Sequence, residues 1–548
     1  MSLSMYKDLQ MQERMEVVMV SMDRDAGDFQ DYLLQTPFLA LPHHRRDIAK
    51  DLWKRYEVKK IPTLVFIDHH GQVIEREGRR MIENNFMDLR AVWKHLLGDN
   101  VFANDAWHPA QPHLHHARHV TVVSGSQQGR QPTSNAPRRR PLEGIRVVEC
   151  GHLIAGPFAG TILSYFGAEV IKVEPPSGDQ VRDYRELDST KTSLWWYSIG
   201  RNKHSVSIDI KQEEGRALIR ELIDSSDVLI ENFKPGRMEK WGLGPEAFEQ
   251  SNPGLVYTRV SGFGQDGPYS SRPGFASVCE AMGGFRYVNG FPDRPPVRQN
   301  LSLGDTVAGI HAALGTVIAL LGRERDAQRL GQTVDVAIYE SMFNLLEAVV
   351  PEYDYAGVVR ECSGSTITGI VPSNTYTCLG GKNIVIAANT DTLFVKLMRA
   401  IGHSEMADDP KYRTNADRVK FQDEIDNAVS SWTATRPLDD VVRAMEAAQV
   451  PVGLVFSVED MMRDAHYLHR NMFEEVHIPA ADAHTTRPLR VPAILPKLEG
   501  TPGETKWAGR RLGEDTRHVL RSILRRSDAD IDQLVQARSV FEPPTTSA

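Results

Sequence analysis

Residues 145–176, IRVVECGHLIAGPFAGTILSYFGAEVIKVEPP, decide the fold. The segment opens on a β-branched run, 145–150, turns through glycine and proline into a stretch with helical spacing, and closes on a second apolar run, 168–176. A strand, a helix and a strand within about thirty residues make a unit whose two strands run parallel, joined by a crossover helix. Working outward, SVSIDI (205–210), DVLIENF (227–233) and LVYTRVSGF (255–263) continue the series, with the helical EEGRALIRELIDSS (213–226) between the first two. Near-continuous apolar strands imply a sheet covered on both faces, so the expected class is α/β, a doubly wound, Rossmann-like domain. Ligands of such sheets bind beyond the carboxyl ends of the strands, which directs attention to the loops after Cys150, Pro176, Ile210, Phe233 and Phe263.

The bulk composition narrows the function classes. The 548 residues are 41% hydrophobic and 25% charged, the profile of a globular chain of several domains. A net charge of −8 argues against general nucleic-acid binding, so an anionic ligand must be held by local Lys and Arg. The four cysteines, Cys150, Cys279, Cys362 and Cys378, form neither a CxxC pair nor a metal-ligand spacing, so no metal site and no disulfide framework is expected. No apolar run reaches the ~18–20 residues of a membrane span, and the helix after Asp305 reads as a core helix. The N-terminus shows no signal-peptide pattern.

Five regions are expected. Residues 1–100 alternate strand and helix patterns as a small α/β unit; 101–140 form a disordered His- and Arg-rich linker; 141–355 make the first part of the large domain; 356–451 a smaller α/β domain; and 452–548 return to the large one. The linker has no acidic residue between Ala106 and Leu142 and carries His108, His113, His115, His116 and His119, a composition that buries too little apolar surface to order itself. Its basic, Ser-containing character resembles a transit peptide and tilts the compartment towards the mitochondrion, with the cytoplasm next. In the smaller domain, SNTYTCLGGKNIVIAANTDTLFVKLMRAIG (373–402) reads as a hairpin turning at Gly380-Gly381, followed by a helix.

Two places carry chemistry. In ENFKPGRMEK (231–240), Asn232, Lys234, Arg237 and Lys240 follow a strand and, with Lys211, supply a cationic cluster suited to a phosphorylated ligand. The helix start at Gly156-Pro157 adds backbone N–H groups that favour anions. In NLSLGDTVAGIHAALGTVIALLG (300–322), the single carboxylate Asp305 precedes an apolar run. It reads as an N-cap, or as a nucleophile beside space left open by Gly304; with an ordinary carboxyl pKa of about 3.9 it would be ionised at neutral pH without a base. The chain shows no G-x-S-x-G, no H-E-x-x-H and no G-x-G-x-x-G after the first strand.

Assembled in order, PLEGIRVVECGHLIAGPFAG, GAEVIKVEPPSGD, GRNKHSVSIDIK, DVLIENFKPG, SGFGQDGPY, LGDTVAGIHAALG, TGIVPSNTY and LGEDTRHVL make residues 141 to about 545 resemble the class III CoA-transferases. The resemblance implies an interlocked homodimer, acyl-CoA and small carboxylic acids as substrates, CoA as a substrate rather than a permanent cofactor, and Asp305 as the residue that becomes an aspartyl-CoA thioester. It carries CoA contacts onto Ile154, Ala155, Ile208 to Lys211, Asn232, Phe233, Lys234 and Lys240. By closeness of resemblance dicarboxylates such as succinate and glutarate are the expected acids, and GSTITGIVPSN (364–374), in the place of the glycine-rich loop of formyl-CoA transferase, argues against formate. Two departures touch the thioester region: Pro175 stands where an Arg is frequent, and Phe275-Ala276 where Tyr-Asp is common. Racemisation of 2-methylacyl-CoA is the competing chemistry, but RPGFASV (272–278) lacks the histidine that would act as second acid/base.

The N-terminal unit resembles the tryparedoxin and nucleoredoxin branch of the thioredoxin fold through VVMVSMDRDAGDFQDYLLQ, FLALP and KKIPTLVFIDHHGQVI, with Ile61-Pro62 in the place of that fold's cis-proline bond. No cysteine precedes Cys150, and disulfide exchange needs a thiolate, so this unit is expected to lack redox activity. A different class of function follows from that, a non-catalytic CoA-binding scaffold with a thioredoxin-like interaction domain.

Overall fold

The computed structural model describes residues 138–480 and 485–543 and, before them, only four short strand segments. The chain divides into two units, Met1–Gln131 and Pro132–Ala548. In the first, Val18–Met19 pairs in parallel with Leu39–Ala40, and Phe66–Ile67 pairs antiparallel with Val73–Glu75. The expected linker, its histidines and Ile61-Pro62 lie outside the described residues.

The second unit is built on a seven-stranded sheet. Its strands are β1 (Arg146–Glu149), β2 (Glu169–Glu174), β3 (Lys203–Ile208), β4 (Val228–Glu231), β5 (Val256–Ser261), β6 (Thr333–Ala337) and a short edge strand near the C-terminus, Val540–Phe541. The order across the sheet is β6-β5-β4-β1-β2-β3 and then the Val540–Phe541 strand, all parallel except that last one, which runs antiparallel to β3. The order reverses at β1, so β1 and β4 flank the crevice where open α/β sheets take their ligands. The sixth parallel strand was not expected: TVDVA is exposed at two of its five positions and partly covered at a third, and lacks the continuous apolar signature of the central strands.

Successive residues along each strand point to opposite faces. Val147, Val170, Val228 and Val256 pack on one face with Ala159 and Leu163 of α1 (Ala155–Tyr165). Val148, Ile171, Leu229 and Tyr257 pack on the other with Leu218, Ile219 and Leu222 of α2 (Glu213–Asp224). The first face is completed by Ala308, Ala312 and Ala319 of the long helix α4 (Leu303–Arg325), which follows a short helix α3 (Ala276–Met282) and precedes α5 (Ile338–Phe343). Small residues let α4 approach closely: a Cβ on Gly309 would lie 2.8 Å from the carbonyl oxygen of Ala155.

A third core, Val371 to Val450, belongs to an antiparallel sheet of Ser373–Thr377, Asn383–Ala387 and Val452–Leu454. The hairpin turns at Gly380 and Gly381, both with positive φ, as the sequence suggests. Arg418, fully buried, ties this lobe together by donating to the carbonyls of Val371 (2.9 Å) and Asn389 (2.8 Å) and pairing with Asp391 at 2.8 Å. The chain then returns to the large sheet: Asn202 donates to Glu504 O at 2.6 Å and accepts from Lys506 N at 2.7 Å, and Ser205 N donates to Asp515 at 3.0 Å.

Candidate active site

The crevice between β1 and β4 is closed from below by one side chain. Asn232, the first residue after β4, accepts from His152 N and donates to His152 O, both at 2.7 Å. Phe233 packs edge-on against the His152 ring, 5.3 Å away. Burial and the nearby Lys172 ammonium push the His152 imidazole down to about 4, so it is neutral at physiological pH. Leu153 adopts φ +62°, an unusual conformation for a bulky residue, with its N–H donated to Asp179 at 3.0 Å. The β1–α1 loop is therefore held rigidly, and Ile154 and Ala155, both buried, stand at a helix start that has no side-chain cap.

Beneath that loop lies a buried ionic network. Glu149 sits 3.3 Å from the Lys172 ammonium and 2.8 Å from that of Lys203, and Lys172 reaches Asp179 at 2.7 Å and the Gly151 carbonyl. Lys203 also donates to Pro157 O at 2.6 Å, which ties α1 to the third strand. Desolvation draws the Lys203 ammonium down to about 8.

The cationic residues read from the sequence lie at the ends of β3 and β4. Glu231 and Glu239 both pair with Arg259 of β5, at 2.7 and 2.6 Å, which anchors the 231–240 segment on its inner side. Lys234, Arg237 and Lys240 are left exposed. Lys211 is likewise exposed, two residues beyond Asp209, whose carboxylate accepts from the Lys211 N–H at 3.0 Å, whereas Ile208 itself is buried in the core. Among the described residues no carboxylate pairs with the ammonium groups of Lys211, Lys234 or Lys240.

Asp305 is the third residue of α4. The N-cap position belongs to Ser302, without a side-chain bond, so the capping role expected for Asp305 is not observed. Nor is there open space at Gly304: a Cβ there would meet Glu280 and Ile338 at 3.2 Å and Ala276 at 3.3 Å. The glycine instead allows α3 and α5 to close on the start of α4, and that packing partly buries Asp305. Its carboxylate takes no hydrogen bond from any described residue. Burial first, and then the charge of Glu280, push it up to about 6, opposed by Arg298. The value thus lies above the ordinary carboxyl range, and at pH 7 the ionised form still leads by about ten to one.

Helix packing brings the first turns of α4, next to Asp305, to the β1–α1 loop. Gly309, one helical turn after Asp305, touches Ala155, and a cavity of about 90 Å³ is lined jointly by Ile154 and Phe158, by Trp195 and Ser198, by Arg201, and by Thr306. Glu280 was missed by sequence reasoning: it lies in no motif and meets Asp305 only through the fold. Of the departures noted above, Phe275 is 70% exposed at the start of α3.

The fold is a doubly wound α/β sheet with an uncapped helix start and exposed lysines after its strands, and a partly buried carboxylate stands at the start of α4. The family model for CoA-transferase family III matches residues 142–516, and the chain belongs to that family. It is 42% identical over 403 residues to a succinyl-CoA–D-citramalate CoA-transferase of Chloroflexus aurantiacus, covering 73% of this chain and 98% of the relative. It is 30% identical to the succinyl-CoA:glutarate CoA-transferase of Mus musculus, covering 74% and 91%. The crystal structure of a CAIB/BAIF family protein from Brucella suis aligns with TM-score 0.62 and 30% identity, over 70% of this chain and all of that one. A thioredoxin-like family model matches residues 2–73. The protein is a CoA-transferase enzyme of family III.

Proposed function

We propose that this enzyme moves CoA from succinyl-CoA to a four- or five-carbon dicarboxylic acid, with Asp305 as covalent nucleophile. The observation that carries the reading is the unbonded, partly buried carboxylate of Asp305, near the start of α4 and next to Thr306, which shares a cavity with Ile154 in a CoA-transferase fold. Desolvation leaves such an oxygen less stabilised by solvent and more reactive, while it stays largely ionised at neutral pH.

The chemistry balances without an external base. An Asp305 oxygen attacks the thioester carbonyl and the C–S bond breaks, giving a mixed anhydride and CoA thiolate. The thiolate attacks the Asp305 carbonyl, releasing succinate and leaving the aspartyl-CoA thioester. The acceptor carboxylate then attacks that thioester, and the freed thiolate takes the acceptor's acyl group, which restores the Asp305 carboxylate. Orientation comes from the cationic rim, Lys211, Lys234 and Lys240, holding the phosphates of CoA, and from Ile154 and Ala155 at the loop that Asn232 clamps. The names of relatives acting on succinyl-CoA with citramalate or glutarate favour dicarboxylates.

Incubation with succinyl-CoA, borohydride reduction and peptide mass spectrometry are expected to find the modification on Asp305. Removing the three rim lysines together should raise the succinyl-CoA concentration needed for half-maximal labelling, most at low salt, where exposed charges are least screened. Unlabelled Asp305 under saturating succinyl-CoA would defeat the reading.

We further propose that a second copy of the chain covers α4. This helix is long and apolar enough to cross a membrane by length and composition alone, but one side packs into the core while Ile310, Leu314, Val317, Ile318 and Leu321 form an exposed stripe at one-turn spacing. A continuous apolar stripe marks an interface. Light scattering on the purified chain should give twice the chain mass, and Leu314→Arg should halve it; a wild-type monomer at micromolar concentration counts against the idea.

A further inference from the structure

Two arginines share one buried carboxylate beside Asp305. Glu280, 2% exposed, accepts from Arg286 Nη2 at 2.9 Å and from Gly304 N at 3.2 Å, and lies 3.3 Å from Arg298 Nε. The backbone just before Arg298 is held as well. Val297 donates to Asn289 O at 3.0 Å, and Asn289 Nδ2 returns a bond to Val297 O at 2.8 Å. The Nη groups of Arg298 meet no partner among the described residues, and its side chain is 45% exposed. A guanidinium held through Nε, with both Nη groups unpaired among the described residues, is prepared for a second carboxylate.

The charge balance says when that carboxylate arrives. With Asp305 ionised, two arginines face two carboxylates and the cluster is neutral. Once Asp305 is an anhydride or thioester its charge is gone, and the cluster carries one uncompensated positive charge. An incoming anion is then favoured at the stage when the acceptor acid must bind. Pairing with the reacting carboxylate would weaken it as a nucleophile, so the free fork suits the other end of the molecule.

We propose that Arg298, oriented by Glu280, binds the distal, non-reacting carboxylate of the dicarboxylic acid and so selects dicarboxylates over monocarboxylates. This rests on the covalent reading of Asp305. The test loads wild-type enzyme, Arg298→Gln and Arg298→Lys with CoA from saturating succinyl-CoA, and follows discharge by glutarate and by valerate, which lacks the second carboxylate. Arg298→Gln should need roughly 10- to 100-fold more glutarate for half-maximal discharge, the effect of losing hydrogen bonds to a charged group. Arg298→Lys should recover part of that loss, and valerate discharge should change far less than glutarate discharge. Equal effects on both acids, or no effect on glutarate, would overturn the assignment while leaving the covalent mechanism standing. Failure of the wild-type enzyme to load would instead remove the mechanism, and the assignment with it.

Discussion

Asp305→Asn is expected to lose at least ~10⁴-fold in CoA transfer, because in the proposed mechanism each half-reaction passes through an anhydride that the amide cannot form. The same substitution should make the protein more stable. In the folded chain the Asp305 carboxyl is pushed up to about 6, mainly by burial and next by Glu280, against an ordinary 3.8. The folded state therefore binds this proton more tightly than the unfolded one. The sign follows directly: this group's contribution is most favourable below pH 3.8 and is lost as pH rises to 6 and beyond. At neutral pH the charged carboxylate costs on the order of 3 kcal/mol, from ~1.4 kcal/mol per unit, and partial exposure lowers that figure. Urea unfolding at pH 7.5 should show Asp305→Asn more stable by about 1–3 kcal/mol, with the advantage shrinking as pH falls through 6. Wild-type turnover should fall over the same interval as the nucleophile is protonated. A variant that keeps a tenth of wild-type transfer would defeat the mechanism.

Gly160→Ala is expected to be the most damaging single-methyl change in the large sheet's core. Gly160 lies in the middle of α1, where alanine ordinarily favours a helix over glycine by about 1 kcal/mol. Here the added Cβ would stand 1.9 Å from Glu149 Oε2. Glu149 has no room to yield, since it is fully buried between the ammonium groups of Lys172 and Lys203. Either α1 lifts from the sheet or the carboxylate leaves its two cations, and breaking a buried pair costs about 3–5 kcal/mol. Gly156→Ala, one turn earlier, is the control: its Cβ would meet only ordinary contacts of 3.5 Å or more, and stability should move by no more than about 1 kcal/mol. Chemical denaturation of the two variants side by side checks this. Equal stabilities would show that the Glu149 network is looser than its distances imply.

The parts of the site legible in sequence were those written in one segment. Asp305 stood out as the lone carboxylate before an apolar run, and Lys211, Lys234 and Lys240 as cations just past apolar strands. The mistakes at Asp305 share a cause. Whether a carboxylate caps a helix, and whether a glycine leaves space, depends on the exact turn at which the helix begins and on what packs against it. The helix starts two residues before Asp305, and α3 and α5 fill the room beside Gly304.

Chain order and apolar patterning alone therefore determined the parallel α/β sheet, because strand and helix periods are local and a crossover between parallel strands leaves little choice of hand. They also located the loops at the carboxyl ends of the strands. Only the tertiary structure decided which charges meet. Glu280 reaches the start of α4, Arg298 comes to share it, and Glu149 is placed between two lysines from different strands. Such encounters depend on register and helix packing over tens of residues, and the electrostatic energy that tunes Asp305 falls off with distances that no local pattern records.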